Sequence, residues 1–191
     1  NKIVVERLVL GGVAISSLFG AIQATLLLQT EDGRIQAALN WLIGSLNARG
    51  WQEIKFTALP ILIALFIGLF LYRQLNLLSL GDDLSVSLGT SLFRSRCLIG
   101  AIATLLAACA VSIGGLIGFI GLIVPHFSRL LIGNDFKYIL PFSALIGALT
   151  LSSADLISRL GPIEIPVGIV TALLGAPVFM IILYKRTNYK K

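Results

Sequence analysis

The stretch from Gly114 to Gly133, GGLIGFIGLIVPHFSRLLIG, restricts the fold of this chain more than any other. It places several glycines and a proline inside one of the most apolar regions of the sequence, where they weaken or interrupt a continuous helix. Non-helical backbone at membrane depth is found only where protein or a water-filled cavity surrounds it, as in the discontinuous helices of transporters. The stretch therefore predicts a broken membrane helix, in preference to the kinked core helix of a soluble protein.

Five residues of this stretch are candidates for helix packing or for lining a pathway. Gly114 and Gly118 have the GxxxG spacing and Gly121 follows, so we expect the backbone of a neighbouring helix to approach closely there. Pro125 removes a backbone hydrogen-bond donor. His126 has two interpretations: a hydrogen-bonded residue at the start of a helix, which we favour, and a substrate or proton site.

The composition extends the membrane assignment to the whole chain. Hydrophobic residues make up 57% and charged residues 13% of the sequence, so the polar residues must concentrate in short connections between apolar runs. We predict an all-α, polytopic transmembrane helix bundle with about six crossings, one of them short and broken, because each crossing needs an apolar run of about twenty residues. The runs are Val9–Leu28, Phe56–Tyr72, Leu98–Ile113, Gly114–Leu131, Tyr138–Ile157 and Val167–Tyr184.

The longest polar stretch, from Gln74 to Arg96, lies between the second and third of these runs. Its aliphatic residues alternate with Ser, Asp and Gly, which predicts two short amphipathic helices broken near Gly81 and Gly89. Basic residues are enriched on the cytoplasmic side of membrane proteins. A cytoplasmic position of this stretch satisfies that rule, because few basic residues then lie on the outer side: Arg34, Arg49, Lys55 and Arg159.

The motifs of several enzyme classes are absent from the sequence. It has one histidine and no HExxH motif for an intramembrane metalloprotease, no GxSxG motif for a serine hydrolase, and no GxxxxGK[ST] loop for a P-loop ATPase. Cys97 and Cys109 suggest neither a metal pair nor a disulfide. The basic residues form no patch interleaved with aromatic residues that would bind nucleic acid. We therefore expect no catalytic residue, no metal site, no cofactor and no nucleic-acid partner.

Asp155 and Arg159 lie four residues apart near the end of one apolar run, so they share a helix face. From the residues alone, two interpretations remain open: an internal ion pair, and a partner-binding role for Arg159.

Three segments of the chain resemble the C-terminal half of the FecCD-type permeases, the membrane subunits of ABC importers for iron-siderophores, haem and vitamin B12. They are GFIGLIVPHFSRLLIGND, LPFSALIGALTLSSADLISR and EIPVGIVTALLGAPVFMIILYKR. Upstream, RLVLGGVAISSLFGAI, WLIGSL and LNLLSLGDDLSVSLG are similar to the family in order and spacing. The resemblance implies that residues 1–191 are the C-terminal portion of an importer's transmembrane domain, with the N-terminal spans absent.

The resemblance also implies partners and site residues. It identifies residues 76–92 as a cytoplasmic coupling segment that docks on the ABC ATP-binding subunit. Arg159 matches a basic position that pairs with a periplasmic or lipid-anchored substrate-binding protein, so we favour partner docking over a purely internal pair. A second permease subunit, identical or different, is expected to complete the pathway in the bacterial plasma (inner) membrane. The residues expected to contact the ATP-binding subunit are Leu80, Gly81, Asp82, Asp83, Ser87, Leu88 and Gly89.

The function that the resemblance implies is import of a chelated metal, with ATP hydrolysis by the separate subunit, so the chain itself is not an enzyme. The apolar sequence has no cluster of metal ligands, which favours a chelate over a bare ion. We expect an iron-siderophore first, then haem, then cobalamin. The alternative is a non-transporting membrane scaffold or a truncated remnant of such a permease.

Overall fold

The computed structural model describes residues 2–29, 32–47 and 49–188. Over these ranges the backbone forms nine α-helices and no β-strand, which confirms the all-α prediction. The helices are α1 (Lys2–Leu28), α2 (Asp32–Ile43), α3 (Trp51–Phe70), α4 (Tyr72–Ser79), α5 (Asp82–Ser87), α6 (Leu92–Gly114), α7 (Ile120–Ile132), α8 (Phe136–Ser158) and α9 (Val167–Asn188).

Four of the described helices contain a segment long and apolar enough to cross a membrane: Val9–Leu28 of α1, α3, α6 and α8. Two further helices are apolar but shorter, namely α7 and the Val167–Ile182 part of α9. These six segments correspond to the six predicted crossings. Helix α3 starts before its apolar run because Glu53 caps it, accepting a hydrogen bond from the Gly50 N–H at 2.9 Å.

The chain divides into two compact units, residues 1–40 and 41–191. The first unit holds α1 and most of α2, and nearly all α1 side chains from Val9 to Leu28 are exposed. In the second unit α3 packs against α6, while α8 packs against α7, α9 and α4. Its apolar core lies where α8 meets the start of α9, and consists of Ala154, Val167 and Val170 with Leu46, Ile117 and Leu151 around them.

The predicted helix break is present, but it lies upstream of the proline. Helix α6 ends at Gly114 and α7 begins at Ile120, so residues 115–119 form the break and Pro125 lies inside α7. Gly115 and Phe119 turn the chain with φ angles of 71° and 67°. His126 therefore sits in the middle of α7, and the interpretation of this residue as a helix start is wrong.

In the part of the chain that the structure describes, Gly114, Gly118 and Gly121 do not lie on one helix, so their packing against a neighbouring helix stays a prediction. Gly114 is the last residue of α6, Gly118 lies in the break and Gly121 belongs to α7, so the three do not share a helix face. A Cβ atom at Gly118 or Gly121 would meet nothing within 4 Å. At Gly114 it would meet only side chains, at 2.9 Å from Ile117 Cδ1.

Backbone hydrogen bonds from three chain segments meet at the break. Non-helical N–H and C=O groups in hydrocarbon need internal partners, and neighbouring segments supply them here. The carbonyl of Gly114 accepts from Ser45 N at 2.9 Å. Two further bonds complete the junction: Leu116 N donates to Trp41 O at 3.3 Å, and Gly168 N donates to Gly44 O at 2.9 Å. We call this set of contacts the backbone junction.

Glycine makes this close approach feasible at three positions of the backbone junction. At Gly44, where φ is 88°, a Cβ would lie 2.9 Å from the carbonyl oxygen of Leu116. A Cβ at Gly115 would overlap the carbonyl oxygen of Trp41, and a Cβ at Gly168 would overlap that of Ile43. These glycines, rather than those of the GxxxG spacing, allow neighbouring backbones to touch.

Candidate functional site

The polar stretch between α3 and α6 folds into two short helices, as the sequence predicted. Helix α4 follows α3 directly after Leu71, and α5 begins at Asp82. Gly81 joins the two helices with φ 100°, and Gly89 ends the segment with φ 82°. These angles lie in the left-handed region that favours glycine, which explains why both breaks fall on this residue type. We call the segment formed by α4 and α5 the elbow.

A buried serine fixes the angle of the elbow. Ser85 is fully buried, and its Oγ lies 2.7 Å from the carbonyl oxygen of Leu77 and 2.6 Å from that of Gly81. The backbone N–H of Thr90 donates to Ser85 O at 3.0 Å, so the end of the segment is also tied to this residue. Sequence reasoning missed Ser85, because the alternation of Ser and aliphatic residues does not tell which serine faces inward.

The elbow exposes aliphatic side chains in an otherwise polar segment. Leu80 is 54% exposed, Leu84 56%, Val86 56% and Leu88 59%. Contiguous apolar side chains at an aqueous surface are typical of a contact site for another protein. We call this set the docking surface: Leu80, Asp83, Leu84, Val86, Ser87 and Leu88, all of them exposed. Leu84 and Val86 were not among the residues that the sequence analysis selected.

Asp82 differs from the other predicted contact residues, since it is only partly exposed. Its Oδ1 accepts a charge-assisted hydrogen bond from Arg96 NH2 of α6 at 2.5 Å. Such a surface ion pair stabilises by about 0 to 1 kcal/mol. It ties the start of α5 to α6 and leaves Asp83 as the more accessible carboxylate of the two.

A polar cluster connects α4 to the start of α8. Asn76 Nδ2 donates to Asp135 Oδ1 at 2.8 Å, and Asn76 Oδ1 accepts from the Phe136 N–H at 3.0 Å. Asp135 also caps α8 by accepting from Lys137 N at 2.9 Å. The hydrogen bond from Asn76, together with that from the Lys137 N–H, lowers the pKa of the Asp135 carboxyl below its ordinary value. We call the Asn76 contacts with Asp135 and Phe136 the amide bridge.

The predicted docking residue Arg159 lies at the opposite end of α8, as its C-cap. Its Nε and NH2 donate to the two carboxylate oxygens of Asp155 at 3.0 and 3.1 Å. The hydrogen bonds and charge of Asp155 raise the pKa of the Arg159 guanidinium, and Glu164 adds to this. The internal pair is therefore present, while the Arg159 side chain remains 47% exposed.

Two polar contacts of the second unit lie at opposite ends of α8. The amide bridge joins the elbow to the turn before α8. At the other end, Asn47 Nδ2 donates to Glu164 Oε2 in the connection that precedes α9. The elbow and Arg159 thus occupy opposite ends of α8.

An apolar cavity of about 430 Å³ lies between α7, α8 and α9. Phe119 and Phe127 line it, and the few polar lining groups are the hydroxyls of Thr150, Ser153 and Thr171. None of the five predicted pathway residues lines this cavity in the described part of the chain. Gly118 borders a second cavity, of about 400 Å³, beside Ile43 and Gly168.

Comparisons of sequence and of structure both match this chain to membrane transport proteins. The model of the FecCD transport family matches residues 1–185. The chain is 38% identical over 184 residues to the Probable siderophore transport system permease protein YfhA of Bacillus subtilis, covering 95% of this chain and 54% of that protein. It is 42% identical over 181 residues to the cobalamin import system permease protein BtuC of Halobacterium salinarum, covering 94% of this chain and 48% of the relative. It is 38% identical over 186 residues to the hemin transport system permease protein HmuU of Yersinia pestis, covering 96% of this chain and 56% of that protein.

Among solved structures, the chain is similar to an ABC transporter of the metal-chelate type in an inward-facing conformation. The TM-score is 0.86 at 37% sequence identity, and the match covers 91% of this chain and 57% of that one. The chain thus spans about half the length of the curated relatives that it matches.

Proposed function

Since the chain belongs to the FecCD transport family, we propose that it forms the C-terminal part of a permease subunit in a binding-protein-dependent ABC importer. Membership of this family confirms the resemblance seen in the sequence motifs. The family is one of transport proteins rather than enzymes, and the apolar helices identify the chain as a multi-pass membrane protein. The bacterial plasma (inner) membrane is the proposed location.

The observation that carries the proposal is the docking surface on the elbow. Four aliphatic side chains protrude from a short polar segment whose angle is fixed by Ser85 and by the left-handed backbone of Gly81. A preformed apolar surface costs little ordering entropy on binding, so it suits a partner that must push on it repeatedly. The proposed partner is the ATP-binding subunit, which hydrolyses ATP. This chain supplies the elbow, on which that subunit acts, and part of the transport pathway.

The proposed substrate is a chelated metal. The relatives described above are named as permeases for siderophores, hemin and cobalamin, which share a large organic shell around the metal. An apolar cavity with a few hydroxyls suits such a shell better than a hydrated bare ion. Iron-siderophore is the first candidate, followed by haem and cobalamin. A second permease subunit would complete the pathway, and a substrate-binding protein would deliver the chelate.

Purification of the tagged native gene product in mild detergent tests the proposal. We expect an ABC ATP-binding subunit to co-purify, and the reconstituted complex to take up a ferric siderophore, hemin or cobalamin in an ATP-dependent manner. Absence of any ATP-binding subunit, together with no uptake of the three chelates, would support the alternative of a scaffold or remnant.

Replacing Arg159 by Glu tests the proposed docking of the substrate-binding protein. An acidic residue on the partner would meet a like charge, so we expect Arg159→Glu to weaken association about tenfold or more. Asp155→Asn is the matched control, because it breaks the internal pair and keeps the guanidinium. Binding that falls equally in both variants, measured with immobilised binding protein, would assign Arg159 to the internal pair alone.

A further inference from the structure

We propose that the amide bridge is the contact through which movement of the elbow is passed to α8, an inference that rests on the proposed function. Asn76 of α4 makes both contacts of the bridge: its amide nitrogen donates to Asp135 and its carbonyl oxygen accepts from Phe136. Asn76 is thus a positioning residue: it lies outside the docking surface, and both hydrogen bonds of its side chain go to the start of α8.

The bridge continues a chain of hydrogen bonds that starts in α5, the helix that carries most of the docking surface. In α5, Ser85 Oγ lies 2.7 Å from the carbonyl oxygen of Leu77, which is the neighbour of Asn76 in α4. Force applied to α5 therefore reaches α4 through Ser85, and α8 through Asn76. Each step is a short, directional hydrogen bond between two helical segments, so a displacement of one segment acts directly on the next.

Helix α8 is suited to carry that displacement across the membrane. Its 23 residues give a length of about 34 Å at 1.5 Å per residue, enough to cross the hydrocarbon core. It packs against α7 and α9, and these three helices enclose the apolar cavity. At its far end Arg159 is the proposed contact for the binding protein. A shift of α8 would thus reshape the cavity and alter the outer end together.

The bridge also reaches α7 without a further hydrogen bond. The Arg129 guanidinium of α7 lies 5.7 Å from the centre of the Phe136 ring, in a cation–π contact. Phe136 is the residue whose N–H donates to Asn76. The elbow is therefore connected to both helices that flank the turn at Gly133, the end of α7 and the start of α8.

A simple capping role for Asp135 does not require Asn76. Asp135 caps α8 by accepting from Lys137 N, and that bond would persist without the amide. The second contact, from Phe136 N to Asn76, satisfies a backbone donor of the same helix start from a different helix. Asn76 thus holds α8 in position relative to α4. Exchanging the side chains of Asn76 and Asp135 can separate this role from the capping of α8.

The test uses three variants of the native gene product with its ATP-binding subunit in proteoliposomes. Asn76→Asp puts two carboxylates side by side, so we expect chelate uptake per ATP hydrolysed to fall about tenfold. The ATP-binding subunit should still co-purify. In the swap variant Asn76→Asp with Asp135→Asn, a carboxylate accepts from both the new amide and Phe136 N, so uptake per ATP should return close to the starting value. Asn134→Ser, an exposed change in the same turn, is the control.

Each result of these measurements decides the proposal. Uptake per ATP that is unchanged in Asn76→Asp, or that is not restored by the swap, overturns the role of the bridge while leaving the proposed function intact. Should Asn76→Asp fail to accumulate, Asn76→Ser replaces it, because the shorter side chain cannot reach both partners. Failure of the unsubstituted protein to hold an ATP-binding subunit or to transport would refute the proposed function and this inference together.

Discussion

Gly115→Ala is expected to destabilise the membrane domain by about 3 kcal/mol or more, since two separate costs of roughly 1 to 3 kcal/mol apply to this position. Gly115 has φ 71° and ψ −155°, a conformation open almost exclusively to glycine. A Cβ would also overlap Trp41 O and lie 3.3 Å from Gly44 Cα. Both neighbours are backbone atoms, so they cannot rotate away. Thermal unfolding of the purified native gene product in mild detergent measures the effect.

The matched control for this prediction is Gly100→Ala in the middle of α6. A Cβ at Gly100 meets nothing within 4 Å, and alanine is the better helix former, so the unfolding temperature should stay unchanged or rise. Equal unfolding temperatures for the two variants would mean that the backbone junction does not contribute to stability.

Gly81→Pro is expected to abolish coupled transport while leaving the helix bundle folded. Proline fixes φ near −65°, whereas Gly81 has φ 100°, so α5 must leave its position against α4. The substitution also removes the Gly81 N–H, which donates to Leu78 O at 3.4 Å. We expect uptake in proteoliposomes to fall at least about a hundredfold and stimulation of the ATP-binding subunit by the substrate-loaded binding protein to disappear, because a lost coupling of roughly 3 kcal/mol has that effect.

Two further variants are expected to reduce coupled transport for separate reasons. Gly81→Ala keeps the N–H and strains only the φ angle, so its loss of uptake should be smaller. Asp82→Lys should also uncouple, because it breaks the ion pair with Arg96 and reverses the charge at the start of α5. If Gly81→Pro kept full stimulation of ATP hydrolysis, the elbow would not be the coupling segment.

Several elements of the structure could be predicted because they depend on local sequence patterns. The apolar runs identified the membrane helices, since burial in hydrocarbon is a property of each run on its own. Gly81 and Gly89 predicted the ends of α5, because glycine is common where a short helix ends in a residue with positive φ. The helix break after Gly114 was predicted from the glycines and the proline of this stretch, and the structure places it among the glycines, at residues 115–119. Pro125 is the sixth residue of α7, and the helix continues past it to Ile132.

Other elements depend on contacts between residues far apart in sequence, and no local pattern reveals these. Gly115 and Gly168 meet the backbone near residues 41–44, and nothing in the spacing GxxxG points to them. Asn76 and Asp135 are joined across 59 positions of the chain. Ser85 differs from Ser87 only in which side of a six-residue helix it occupies, and a helix this short has no clear period.

The backbone junction has a consequence for how this region can change in evolution. Its bonds run between main-chain groups of Ser45, Leu116 and Gly168 and their acceptors, so they survive almost any exchange of side chains. Proline at a donor position, or a Cβ at Gly44, Gly115 or Gly168, would disturb them. Neighbouring side chains can therefore be exchanged while the helices keep their positions. In the proposed importer, such exchanges would alter the side chains around a transported molecule without moving the helices that hold them.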